Sequence, residues 1–287
     1  MYVVTGATGN TGSVVAQRLL EHGKKVRVVV RSAEKAAAFA KQGAEVAVAD
    51  LNDGRALAQA LRGAEGLYYV SPPDLGAKSF IAERKLLTQR IADSIAHSGV
   101  GHTVLLSSIA SQYASGTGPI LTTHNAEQQL RAAGVPATFV RAGYFMENWA
   151  AVLPAAKNDG VLPAFFPADL RIPMTATLDI GEVAAQALLD GPRGVRVIEL
   201  AGPEDSSPND VARVLSQLFG RRVAVVEAPL DAVVPTFTGF GMSPNIAELF
   251  RELYAGIASG RMVWEGGSAE AVRGKVTLTR ALEPLLR

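Results

Sequence analysis

From the second residue onward, short runs of β-branched and apolar residues alternate with segments of helical length, and no other feature of the chain narrows its fold as much. The runs fall at residues 2–5, 26–30, 45–49, 66–70, 103–107, 137–141 and 195–200. Runs this continuously apolar fit strands buried on both faces, as in a parallel sheet covered by helices. Between them, Val15 and Leu19 share one face of a first helix, and Phe80, Leu87, Ile91 and Ile95 share one face of a fourth. Parallel neighbours need crossover connections, which are right-handed, so the expected class is α/β with a doubly wound parallel sheet.

The rhythm loosens from about Gly143. Pro154, Pro163, Pro167 and Pro173 interrupt it, and residues 206–287 offer helical segments with one further apolar run at 223–226. The expectation is a single domain. Residues 1–145 form its core, and most of 146–287, apart from the strand near 195–200, forms a smaller, mostly helical part over the sheet's C-terminal edge.

With 48% hydrophobic and 19% charged residues and a net charge of +1, the chain reads as globular, and its scattered basic residues give no reason to expect nucleic acid or a membrane as a direct partner. It has no cysteine, which removes disulfides, thiolate metal sites and a cysteine nucleophile. His22, His97 and His102 share no ligand spacing, so no metal site is expected. Neither a signal peptide nor a bilayer-length apolar run is apparent, and the expected location is the cytoplasm.

The first strand runs straight into Gly6-Ala-Thr8-Gly9-Asn10-Thr11-Gly12, and a helix follows. Glycines between a strand and a helix let backbone approach a pyrophosphate while the helix N-terminus offers unpaired N–H groups. A dinucleotide on a Rossmann-type sheet is therefore expected, held by Gly6, Thr8, Gly9, Asn10, Thr11 and Gly12, with Gly12 packing helix against strand. An acid at the end of the second strand would mark NAD. This chain has Arg31, Ser32 and Lys35 there, which suit the 2′-phosphate of NADP. Asp50 and Leu51 after the third strand fall beside the adenine, and Ser71, Pro72 and Phe145 fall at strand ends facing the same ligand edge.

Val4-Thr-Gly-Ala-Thr-Gly-Asn-Thr-Gly12, Arg31 with Lys35, and Asp50-Leu51, with Arg141-Ala-Gly-Tyr-Phe-Met-Glu-Asn148 and Thr177-Leu-Asp-Ile-Gly-Glu-Val-Ala184, resemble the NmrA-like group of atypical short-chain dehydrogenases/reductases over nearly the whole chain. The resemblance implies one Rossmann domain with a small C-terminal substrate-binding part and a preference for NADP(H). It also implies two kinds of function, because some members reduce quinones or dyes and others bind the dinucleotide as redox-responsive regulators.

The usual catalytic device of short-chain dehydrogenases, Tyr-x-x-x-Lys, is missing: residues four after the six tyrosines are Gly6, Pro72, Pro73, Thr117, Asn148 and Ala258. Ser107 and Ser108 end the fifth strand, placed either to meet the nicotinamide or to satisfy backbone as the chain turns out. In the resembling group a Lys or His often stands near the nicotinamide ribose. Alignment puts Thr123 there and His124 one residue on, as a proton donor or as a helix-start histidine. Glu127 matches a group glutamate and equally suits a helix's first turns. Tyr144 after the sixth strand offers an aromatic surface, and residues 235–242 read as a lid with Gly239 and Gly241 as hinges. The expected function is an NADP(H)-dependent oxidoreductase passing hydride to a small planar acceptor, a quinone or dye. The alternative is a non-catalytic NADP(H) sensor acting through a protein partner; monomer and homodimer both fit.

Overall fold

The computed structural model describes residues 1–286. In chain order its elements are β1 (Tyr2–Thr5), α1 (Asn10–Glu21), β2 (Val26–Val30), α2 (Ala37–Lys41), β3 (Glu45–Val48), α3 (Gly54–Leu61), β4 (Gly66–Tyr69), α4 (Phe80–Ser98), β5 (His102–Ser108), α5 (Leu121–Ala132), β6 (Ala137–Ala142), β7 (Tyr144–Phe145), α6 (Leu153–Asp159), β8 (Val161–Ala164), β9 (Met174–Thr175), α7 (Thr177–Asp190), β10 (Val195–Ala201), α8 (Pro208–Phe219), β11 (Ala224–Glu227), α9 (Val233–Gly239), α10 (Pro244–Ala258), β12 (Glu270–Arg273) and α11 (Leu278–Leu282). Eight strands form one parallel sheet in the order β12-β10-β6-β5-β4-β1-β2-β3. The winding reverses between β1 and β4, which opens a crevice at their C-terminal ends.

Alternation of side chains across the pleat builds two cores from the same strands. Val4, Tyr68, Val104 and Val140 face Val15 and Leu19 of α1 and Ile180 and Leu188 of α7. Val3, Leu67, Tyr69, Leu105 and Phe139 face α3, α4 and α5 through Leu57, Leu87, Ile91, Ile95 and Leu130. Each such aliphatic or Phe side chain contributes about 1.5–3 kcal/mol by leaving water. Although α7 lies late in the chain, it joins the sheet's own layer. A Cβ on Gly181 would stand 2.4 Å from Val14 Cβ and 3.0 Å from the Thr11 carbonyl oxygen, so α7 and the start of α1 meet backbone to side chain with no room to spare.

The seven apolar runs are seven strands of the large sheet. Its eighth, β12, lies within residues 206–287, where the sequence shows no second apolar run. Glu270-Ala-Val-Arg273 is half charged because it forms the outer edge, paired with Ile198–Ala201 of β10, and edge strands carry charge against further pairing. Glu270 is tied to Arg196 of β10 at 2.6 Å. The run at 223–226 becomes β11, paired with β8, where Pro163 stands opposite Val226 in a two-stranded sheet that tolerates it. A third core, rich in aromatics, joins the C-terminal helices to residues 144–176.

Candidate functional site

Gly6, Gly9 and Gly12 do different work. Gly6 has φ +63°, and a Cβ there would lie 2.5 Å from Val70 Cγ1, so the turn after β1 rests on the end of β4. At Gly12 a Cβ would lie 2.3 Å from the Gly6 carbonyl oxygen, which makes this glycine a packing requirement of α1 on β1. At Gly9 a Cβ would meet only the Gly6 oxygen, at 3.4 Å. Gly9 is the N-cap of α1 without a side-chain cap, and Thr8, Gly9 and Asn10 are exposed, so the helix N-terminus opens outward. Thr11 is buried, and its hydroxyl accepts from the Tyr68 phenol at 2.9 Å.

Arg31 and Lys35 are exposed and Ser32 half-buried beside this turn at the end of β2. Asp50 turns back on its own loop. Its Oδ1 accepts from the Asn52 N–H at 2.8 Å and the Asn52 side-chain amide at 2.9 Å. Those two bonds, with Arg31 behind them, hold its carboxyl below the usual range. Leu51 is half-buried beside it.

Ser71 and Pro72 follow β4, and this loop is pinned from both sides. Buried Arg84 donates to the Pro72 carbonyl and to Asp74, each at 3.2 Å. From the C-terminal helices, the Ser243 N–H donates to the Leu75 carbonyl at 2.8 Å and Ser243 Oγ donates to the Ala77 carbonyl at 2.6 Å. Asn245 Oδ1 accepts from the Phe80 N–H at 2.9 Å. The segment expected to be a hinged lid is thus helical through Gly239 and fastened just beyond it. Phe237 is buried, and Phe240 stays 52% exposed.

At the end of β5, Ser107 is 2% exposed and donates to Glu127 Oε1 at 2.6 Å. Glu127 takes a forked pair from Arg141, at 2.8 and 2.7 Å, and Arg141 gives a third bond to Glu265 at 2.6 Å. Ser111 Oγ lies 2.7 Å from Thr123 Oγ1, which itself donates to the Ile120 carbonyl, so Ser111 is the donor between them. The hydroxyl protons of Ser107, Ser111 and Thr123 are all spent inside the protein. Ser108 is half-buried on the opposite side of the pleat, and its N–H donates to Ser111 Oγ at 3.3 Å.

His124 is half-buried, with Nδ1 2.8 Å from the Ser111 carbonyl oxygen. A carbonyl only accepts, so Nδ1 carries the hydrogen and Nε2 is left as the exchangeable nitrogen. The turn that aims this carbonyl contains Ala110 at φ +65°, a left-handed conformation outside glycine. No residue type announces that strain, and Ser111 gave no sequence signal either.

Tyr144 opens an aromatic wall. Its ring centroid lies 6.1 Å from Trp149 and 6.2 Å from Phe166, and Phe166 stacks on Tyr254 at 6.3 Å. Burial, then the neighbouring Tyr254, pushes its phenol well above the ordinary value, so it stays protonated. These rings come from positions scattered over a hundred residues, which leaves no periodicity to detect. Phe145 turns toward the α1–α7 side of the sheet.

The segment 141–148 is largely architectural. Arg141 forms the buried ion pair, a Cβ on Gly143 would meet the Pro173 oxygen at 2.5 Å, Met146 is 1% exposed, and Glu147 caps α7 by accepting from the Thr177 N–H and hydroxyl at 2.9 and 2.7 Å. Asp179 accepts from the Lys275 and Val276 N–H groups at 3.1 and 2.9 Å, anchoring the C-terminal segment to α7.

Among the described residues no group of three or more His, Asp or Glu side chains is placed to hold a metal, and no helix is long and apolar enough to cross a membrane. The NAD(P)H azoreductase of Xenophilus azovorans is 28% identical over 89% of this chain and 86% of that protein. The Escherichia coli NADPH-dependent quinone oxidoreductase complexed with NADPH shares the fold at TM-score 0.84 and 24% identity, covering all of both chains. Triphenylmethane reductase of Citrobacter sp. complexed with NADP(H) superimposes at TM-score 0.84 and 20% identity, over 99% of this chain and 100% of that one. Residues 2–258 match the NmrA-like family, and the chain belongs to it.

Proposed function

We propose that this protein is an NADPH-dependent oxidoreductase that passes hydride to a small planar acceptor, a quinone or dye. The observation that carries the reading is the open cradle at Gly9, where a helix N-terminus and its capping glycine face outward beside exposed Arg31 and Lys35. The Gly6–Gly12 backbone would hold the pyrophosphate, and Arg31, Ser32 and Lys35 the 2′-phosphate. Leu51 would pack on the adenine, with the Asp50 carboxylate at its amino edge. Ser71, Pro72 and Phe145 would line the path to the nicotinamide. When bound, NADPH supplies the hydride.

The chain's own residues then have three tasks. Tyr144, backed by the buried rings of Trp149 and Phe166 tilted 58° and 70° to its own, presents an apolar surface to the acceptor, and the C-terminal helices of the 146–287 part exclude water above it. Ser107 serves the scaffold, which leaves the Ser108 hydroxyl to meet the acceptor. His124 Nε2 takes a proton from solvent and delivers it to the acceptor that has received the hydride, while Nδ1–H stays bonded to the Ser111 carbonyl. Without Tyr-x-x-x-Lys, an acceptor with its own electron demand suits this site better than a simple ketone. The azo-dye, quinone and triphenylmethane-dye reductases among its relatives support that reading.

The test is NADPH consumption by the purified protein with a panel of quinones, azo and triphenylmethane dyes and aldehydes. Turnover with the quinones or dyes and not with the aldehydes is expected. His124→Gln should lower kcat by about 100-fold or more, the scale of a lost general acid. NADPH that binds and stays unconsumed across the panel, while oxidised and reduced cofactor give different conformations, would replace the enzyme with a redox sensor acting through a protein partner.

A further inference from the structure

His124 Nε2 is free to exchange a proton only while Nδ1 keeps its hydrogen on the Ser111 carbonyl, 2.8 Å away. That carbonyl belongs to a turn in which Ala110 has φ +65° and is fully buried. A left-handed alanine persists only where its surroundings hold it, because a free turn relaxes to negative φ. The Ser111 carbonyl would swing with that relaxation. What holds residues 110–116 is therefore what aims His124.

One edge of the turn is tied to the sheet and to α5. The Ser111 N–H donates to the Ser108 carbonyl at 3.2 Å, and Ser111 Oγ lies 2.7 Å from Thr123 Oγ1. The other edge, residues 112–116, is tied to the segment that follows α10. Gln112 Nε2 donates to the Val263 carbonyl at 2.9 Å. Arg261 lays its guanidinium 5.6 Å over the Tyr113 ring and donates to the Ser115 carbonyl at 3.2 Å. It also closes on Gly116, where φ is +75° and a Cβ would stand 2.8 Å from the guanidinium carbon. All three contacts of this side chain fall on residues 113–116.

The segment that carries Arg261 is fastened on both sides. Met262 is buried in a notch of α10, where a Cβ on Gly256 would stand 2.3 Å from Met262 Cε. Further on, Glu199 of β10 accepts from the Glu265 and Gly266 N–H groups at 2.7 and 3.1 Å. A post anchored in this way can hold a strained turn, which a loose arginine arm could not.

The geometry points to Arg261 as a positioning residue for the proton donor. It touches no reacting atom and acts through residues 113–116 and the Ser111 carbonyl, which fixes the tautomer of His124. The catalytic consequence rests on the proposed reaction, whereas the tautomer can be read without any turnover.

Long-range ¹H–¹⁵N NMR at about pH 8.5, where an ordinary imidazole is neutral, reports the tautomer of each histidine, and His124→Gln assigns the signal. Wild type should carry the His124 hydrogen on Nδ1. Arg261→Met keeps a long stem at an exposed position and removes the cation and donor. It should give a mixture of tautomers and lower kcat about tenfold, short of the roughly 100-fold of a lost general acid, with NADPH affinity and acceptor KM near wild type. Arg261→Lys, which still reaches the Tyr113 face and the Ser115 carbonyl, should recover most of both. Ala110→Gly should also rescue Arg261→Met, because glycine holds a left-handed turn without support. An arginine that served only general stability would show no such rescue. The inference is overturned if Arg261→Met keeps the Nδ1 tautomer and wild-type kcat, or if neither lysine at 261 nor glycine at 110 restores what is lost. A wild-type protein that consumes no NADPH overturns the proposed function alone, and the tautomer shift then decides the inference.

Discussion

The glycine turn at residues 6–12 and the segment 141–148 are both dense in unusual residues, and both follow a strand at the ligand edge of the sheet. Only one of them is left unsatisfied. At the turn, backbone N–H groups at the start of α1 open outward past Gly9. In 141–148, Arg141 is locked into Glu127, Gly143 lies under Pro173, and Glu147 caps α7. Sequence specificity therefore marks open, unpartnered backbone in the first case and architecture in the second. The physical discriminator is whether the polar groups already have partners.

The largest effect should come from breaking the architectural side. Glu127 and Arg141 are 1% and 2% exposed, and Glu127→Ala strands a buried guanidinium. A loss of about 3–5 kcal/mol in urea-denaturation stability is expected, with Glu265 holding it toward the lower end. Arg141→Met combined with Glu127→Leu should recover part of it, because removing both charges leaves no orphan. A stability change under about 1 kcal/mol for Glu127→Ala would mean that the pair carries no structural weight.

The next pair of substitutions divides the glycine turn against itself. Gly9→Val should leave the thermal transition near wild type and weaken NADPH by more than about 100-fold, since side-chain atoms would fill the space that backbone and pyrophosphate must share. Gly12→Ala should do the reverse. Its Cβ meets the Gly6 oxygen, so the fold loses about 1–3 kcal/mol through overpacking. Equal effects of the two variants on stability would erase the distinction between a ligand-facing and a packing glycine.

How far the sequence reveals this follows from the range of the interactions involved. Buried strands and the glycine turn are local in sequence, and periodicity with one short motif exposes them. The edge strand β12 hides because charge protects an edge, and the aromatic wall hides because Tyr144, Phe166 and Tyr254 meet only after folding. Ser107 is legible as a hydroxyl at the right strand end. That its proton is given to Glu127 depends on a residue twenty positions away. Likewise Asp50 reads as an acceptor beside the adenine, yet Asn52 already holds one of its oxygens.

Cofactor choice sharpens the ligand-facing side by a smaller step. Arg31→Glu should weaken NADPH by about 1.5–3 kcal/mol, the cost of losing a hydrogen bond to a charged group, and should change NADH affinity far less. Equal losses for the two cofactors in a titration would place the 2′-phosphate elsewhere.

The smallest effect belongs to His102, an architectural residue whose partners are incomplete. It is 1% exposed, its Nε2 lies 2.9 Å from Thr138 Oγ1, and its Nδ1 has no partner. Burial first, and the charge of Arg196 second, lower its pKa from the ordinary 6.5, with Asp190 opposing. A depressed folded pKa means that the unfolded chain binds a proton the folded chain refuses. The stability from neutral His102 is therefore complete above the ordinary value and is lost as pH falls below it toward the folded value. Between about pH 7 and 5, above the range where carboxylates titrate, wild-type stability should decline with a slope that His102→Gln reduces, because glutamine can keep a hydrogen bond to Thr138 without titrating. Denaturation midpoints measured at several pH values for both proteins give the comparison, and parallel slopes would show that His102 takes up its proton without strain.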